Sequence, residues 1–103
     1  MAFQIKITVD AESQFVSLRS YEQRRLEAAI VSQLTHQPTT PTRAVKALRS
    51  NPLAGYELRA GDLRALYNVE GDEVIILVVG RKVGNKLIVA GEEFHGHQDH
   101  PAE

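Results

Sequence analysis

The sequence predicts an α+β fold: a small, mainly antiparallel sheet with an N-terminal helical hairpin packed on one face. Three observations predict it. Residues 3–9, FQIKITV, alternate apolar and polar side chains and are rich in β-branched residues, as a half-buried strand is. Residues 10–34 then switch to helical spacing. From Tyr56 to Val79, runs of Val, Ile, Leu and Tyr are broken by Ala60-Gly61-Asp62 and by Glu70-Gly71-Asp72, both hairpin-turn signals. The element order is β-α-α-β-β-β. A chain of 103 residues holds one small domain with one core. Residues 1–90 form that domain, and 91–103 are read as an acidic, histidine-containing tail.

Each element has its own warrant. Asp10 is placed to cap the first helix, with Glu12 favourable in its first turn; Phe15 and Leu18 stand three apart on it. Ser20 opens the second helix, where Ser20 and Gln23 match a capping box. Leu26, Ala29, Ile30 and Leu34 recur on one face of it. That stripe either packs on the sheet or offers a groove to a partner helix. Gln37-Pro38-Thr39-Thr40-Pro41-Thr42 ends the helix as an extended linker. Arg43, Lys46 and Arg49 stand three apart and share one side if residues 43–52 form a helix or turn. Strands are expected at 56–59, 63–69 and 74–79, with a short one at 86–89. Val74-Ile75-Ile76-Leu77-Val78-Val79 is apolar on both faces, so it reads as a central strand that ends at Gly80-Arg81-Lys82. Tyr67 shares a strand face with Leu63, Ala65 and Val69 and is expected in the core.

Composition narrows the chemistry. The chain has no cysteine, which removes disulfides, thiol nucleophiles and thiolate metal sites. The N-terminus shows no secretory signal and no run is long enough to span a membrane, so a cytoplasmic protein is expected. Net charge is −1, but residues 1–90 carry +3 and residues 91–103 carry −4. A mildly basic body suits an anionic partner. Arg59 and Arg64 flank the first hairpin turn, and arginine's planar fork binds phosphate oxygens in pairs. Arg81 and Lys82 extend that basic set, with Lys46 and Arg49 as outer phosphate contacts. His95 and His97 offer groups that titrate near neutrality. The His-Gly-His tail with Asp99 lacks a partner cluster for a metal site, so no metal and no cofactor is expected.

One further pattern is a likeness. The strand–helical-hairpin opening, KALRSNPLAGYELRAGDLRALYNV, VIILVVG with its basic ending RK, and GNKLIVAGEE follow in order. Together they resemble the RelE/ParE superfamily of type II toxin–antitoxin toxins, from residue 3 to about residue 93. The resemblance implies the fold already read from the pattern. It implies a partner antitoxin, and one of two activities. RelE-like members cut mRNA in the ribosomal A site; ParE-like members poison DNA gyrase. In the first case Arg64 falls at the place of an active-site arginine, and Arg81 or Lys82 at that of a second basic group. The chain departs from the nuclease pattern in two places: Ile88 stands nearest to the expected tyrosine, and Lys46 nearest to a glutamate used by some members. His95 or His97 is then the candidate acid. The expected function is a ribosome-dependent, metal-independent mRNA endoribonuclease held in check by its antitoxin. The alternatives are a gyrase-binding toxin and a non-toxic antitoxin-binding relative.

Overall fold

The computed structural model describes residues 2–49, 51 and 53–94. Strand β1 (Gln4–Ile7) leads into helices α1 (Val9–Val16) and α2 (Ser20–Leu34). Six strands follow: β2 (Val45–Ala47), β3 (Tyr56–Ala60), β4 (Leu63–Glu70), β5 (Glu73–Val83), β6 (Lys86–Val89) and β7 (Glu92–Phe94). They form one meander in chain order from β2 to β7, every neighbour antiparallel. β1 joins β5 in parallel, beside the opposite end of the edge that β6 uses.

The helix caps differ from those expected. Thr8, extended at the end of β1, accepts a hydrogen bond from the Ala11 N–H on Oγ1 at 3.1 Å, so α1 starts before Asp10 rather than at it. At α2 the carboxylate of Glu22 accepts from the Arg19 N–H at 3.1 Å. Gln23 instead donates its side-chain amide back to the Leu18 carbonyl at 2.8 Å. The capping box expected of Ser20 and Gln23 is thus shifted by one residue, because Glu22 is also held from the sheet side.

Residues 43–49 are not helical. Val45–Ala47 pairs with the free edge of β3, and Thr42 Oγ1 accepts from the Ala44 and Val45 N–H groups to turn the chain into it. Arg43, Lys46 and Arg49 therefore do not line up as a helical stripe. The sheet also runs past the boundaries read from sequence. β5 continues through Arg81 and Lys82 to Val83, and β7 lies inside the segment assigned to the tail.

Each sheet face carries an apolar cluster. Leu26, Ile30 and Leu34 of α2, with Ala11 of α1, close over Leu58, Leu63, Ala65, Tyr67, Val74, Ile76 and Val79. On the opposite face Leu66, Val78, Leu87 and Val89 form a smaller cluster with Ala54, flanked by Leu48, Leu53 and Phe94. Tyr67 is fully buried as expected; its ring stacks on Tyr56 with centroids 5.5 Å apart, and its hydroxyl donates to the Pro38 carbonyl at 2.5 Å. The contact fixes the linker after α2 against the sheet.

One irregularity decides which side chains face which way. Tyr67 pairs with Ile76, but Leu66 pairs with Val78, so Leu77 is an extra residue on β5. Such a bulge reverses the alternation beyond it. Val74 and Ile76 face the helices; after the bulge Val79 does, while Val78 faces away.

Candidate functional site

The face opposite the helices carries the basic groups. Residues directly opposite on antiparallel strands share a face. One row runs Lys46, Glu57, Leu66, Val78 from β2 to β5. The next runs Arg59, Arg64, Gly80. Lys82, two residues beyond Gly80, continues the same face and stands opposite Leu87, which in turn stands opposite Phe94. Lys46, Arg59, Arg64 and Lys82 thus lie together, with Glu57 among them.

The β3–β4 turn builds this arrangement. Ala60 pairs with Leu63, leaving Gly61 and Asp62 as a two-residue loop; Gly61 has φ +64°, the glycine-first pattern of a type II′ turn. The turn brings Arg59 and Arg64 directly opposite each other. Arg64 is held firmly: its Nη1 donates to the carbonyls of Gly61 at 2.7 Å and Leu63 at 2.9 Å. Its Nε is buried and has no hydrogen-bond partner among the described residues; Glu57 Oε2 is 3.9 Å away. Burial lowers the Arg64 pKa, the nearby Glu57 opposes that shift, and Arg59 adds to it. Arg59 is more open, and its Nε donates to Glu57 Oε1 at 3.3 Å. The Lys82 backbone N–H donates to the Asp62 carbonyl at 2.7 Å, tying β5 to the same turn.

Arg81 does not join this face. It points to the helices, where it makes a bidentate pair with Glu22: Nη1 to Oε2 at 2.5 Å and Nη2 to Oε1 at 3.0 Å. That pair drops the Glu22 carboxyl to about 2 and raises Arg81. Of the two basic residues that end the sequence run, the structure brings Lys82, and not Arg81, to Arg64. Ile88 also faces the helices, opposite Arg81, so the β6 neighbour of Lys82 is Leu87. Arg49 is exposed after β2, outside the rows described. His95 and His97 lie outside the described residues. Glu57 was not singled out as a site residue by sequence reasoning, although its two-residue spacing from Arg59 on one strand is the signal that places it there. Among the described residues no group of three or more His, Cys, Asp or Glu side chains is arranged to hold a metal ion. No described helix is long and apolar enough to cross a membrane.

No protein-family model matches the chain, and no curated protein does. Solved structures do. A chain of the toxin–antitoxin complex RelBE2 from Mycobacterium tuberculosis superposes with a TM-score of 0.69 at 21% identity, covering 80% of this chain and 100% of that one. The archaeal RelE–RelB complex from Pyrococcus horikoshii gives 0.63 at 24% identity, over 79% of this chain and 96% of that one. A mutant of the Escherichia coli toxin RelE in the free state gives 0.63 at 24% identity, over 79% and 84%. The fold is that of RelE.

Within this RelE fold the helical side has its own features. A polar cleft of about 350 Å³ lies between the helix corner and β5–β6, lined by Gln14, Ser17, Arg81 and Ile88 among others. Gln14 spans it, accepting from the Val79 N–H at 2.9 Å. A second, more apolar groove of about 390 Å³ runs between β1, α1 and α2 past Ile7, Phe15, Val16, Ile30 and Val31. The stripe that the sequence left open between core and partner groove is divided by the structure. Leu26 and Leu34 are fully buried in the core, and only Ile30 borders the groove.

Proposed function

We propose that this chain is the toxin of a toxin–antitoxin pair and that it cleaves mRNA on the ribosome, with Arg64 stabilising the transition state. The observation that carries the reading is the state of Arg64. Two backbone carbonyls hold Nη1, so the guanidinium is fixed before any ligand arrives, and its Nε edge is buried against Glu57, which leaves the group partly desolvated. A fixed, partly desolvated donor is what charge developing on a phosphate needs. In-line attack by a 2′-hydroxyl on the adjacent phosphate would place negative charge on its oxygens beside Arg64, with Lys82 and Arg59 as flanking cations. The leaving 5′ oxygen needs a proton. No histidine or tyrosine lies on that face among the described residues, so His95 and His97, which follow Phe94 in the chain, are the proposed donors. The protein partner is an antitoxin, as in the complexes of the structural neighbours. The proposed site of action is the cytoplasm.

That no histidine or tyrosine lies on this face among the described residues favours a second reading, a ParE-like toxin that binds DNA gyrase through this face without cutting RNA. One experiment separates them. Purified protein is added to a defined translation reaction and new mRNA 5′ ends are mapped against the reading frame. Cuts in the A-site codon that fall about a hundredfold in the Arg64→Ala variant support the nuclease. Folded protein that makes no cuts, or Arg64→Ala that cuts as the wild type does, refutes it. Inhibition of gyrase supercoiling by such a protein then supports the second reading.

A further inference from the structure

We infer that Glu57 is a positioning residue for the basic face, the counter-charge that aims Arg59 and Arg64 and limits how tightly the face holds RNA before reaction. This rests on the reading that the face takes RNA phosphate. Arg59 and Arg64 are directly opposite across β3 and β4, a placement that like charges disfavour. Glu57, two residues before Arg59 on the same strand face, answers both. Oε1 accepts from Arg59 Nε at 3.3 Å, and Oε2 lies 3.9 Å from Arg64 Nε. Lys46 stands opposite it on β2. So one carboxylate sits among three cations in the middle of the surface.

Its burial defines how it acts. The Glu57 side chain is 5% exposed, against 41% for Arg59. A carboxylate that covered cannot reach a substrate hydroxyl, so Glu57 works through the arginines. It engages the Nε edge of Arg59, which leaves the outer end of that guanidinium to solvent. At Arg64 it faces the edge that the backbone carbonyls do not hold. Each guanidinium is thereby given one orientation. The same negative charge repels RNA. Glu57 therefore opposes ground-state binding and favours the aligned geometry, two effects of opposite sign on binding and on cleavage.

That opposition is the test. Binding of a single-stranded oligoribonucleotide is followed by fluorescence anisotropy across a salt series, beside the translation assay, for wild type, Glu57→Gln, Glu57→Asp and Arg64→Ala. Glu57→Gln is expected to bind RNA several-fold more tightly. Its plot of log affinity against log salt should steepen by up to about 0.7, the increment for one more phosphate contact on a single strand. Its cleavage should slow by roughly tenfold to a hundredfold, the scale of a small misplacement. Glu57→Asp keeps the charge but withdraws it by one methylene; it should bind as the wild type does and cleave more slowly. A loss of folded protein alone would lower both quantities together. If Arg64→Ala weakens binding while Glu57→Gln leaves it unchanged or weaker, the inference is overturned. Should Glu57→Gln not fold, Glu57→Asp decides, and unchanged cleavage there overturns it. If wild type and Arg64→Ala bind RNA alike, the RNA-face reading itself fails.

Discussion

Tyr67→Phe removes one oxygen from the centre of the molecule and nothing else. The Tyr67 hydroxyl donates to the Pro38 carbonyl at 2.5 Å, and both residues are fully buried. Burial pushes the phenol well above its usual pKa, so it is a neutral donor across the working range. Phenylalanine keeps the ring and its stacking on Tyr56, 5.5 Å away, but leaves the carbonyl without its donor. An orphaned buried acceptor costs about 1–3 kcal/mol. In a domain of this size each kcal/mol moves Tm by roughly 4–8 °C. A cost near 2 kcal/mol is therefore a drop of about 8–16 °C, read by circular dichroism or calorimetry. Tyr56→Phe is the control, because Tyr56 is only half-buried, and it should move Tm far less. If the proposed cleavage holds, folded Tyr67→Phe at low temperature should cut as the wild type does, since the ring lies on the helical face. A Tm within about 2 °C of the wild type would refute the argument, because water would then be satisfying the Pro38 carbonyl at no cost.

Three further outcomes are expected. A Cβ at Gly80 would sit 2.4 Å from the Ile88 carbonyl oxygen and 2.9 Å from Val89 Cγ2, so Gly80→Ala must push β6 aside. Thermal unfolding should show a loss of about 1–3 kcal/mol. Glu22 has its folded pKa at about 2, below its ordinary 4.5. Its contribution is complete above pH 4.5 and is lost as pH falls towards 2, so urea midpoints between these limits should fall more steeply for wild type than for Glu22→Gln. Arg81→Ala and Lys82→Ala should separate cleanly. The first is expected to lower Tm while sparing the proposed cleavage by the folded protein, and the second to reduce that cleavage with little change in Tm. The reverse pattern would contradict the facing of β5.

Most of the fold was legible because its long elements carry strong periods. FQIKITV alternates, the α2 stripe recurs at helical spacing, and each glycine-led turn marks a hairpin. β2 and β7 were not legible. Each has three residues, too few for a period, and each exists because a longer strand offers it an open edge. The caps slipped for a different reason. Local chemistry made Ser20 and Gln23 a sound box, but Glu22 also answers to Arg81, 59 residues away. At the candidate site the Arg59–Arg64 pairing could be read from a short turn between two strands. The choice between Arg81 and Lys82 could not. It depends on whether β5 keeps its alternation past Ile76, and the extra residue at Leu77 breaks it. Carried on unbroken, the pattern of Val74 and Ile76 would put Lys82 with the helices and Arg81 beside Arg64. An unbroken run of apolar residues, VIILVV, contains no mark of where the reversal falls.

The parallel pairing of β1 with β5 bears on folding rate. Every strand from β2 onwards meets its sheet neighbour in chain order, mostly through two-residue turns, so that part of the sheet zips up through local contacts. β1 is the exception: Gln4 must find Glu73, across both helices and two hairpins. Closing so long a loop is entropically unfavourable until its partner strand already exists. β1 precedes its partner strand in the chain and is expected to dock last. Substitutions at Ile5 should therefore speed unfolding and leave the folding rate almost unchanged, the signature of contacts formed after the transition state. The segment that joins the native state latest is also the first to leave it.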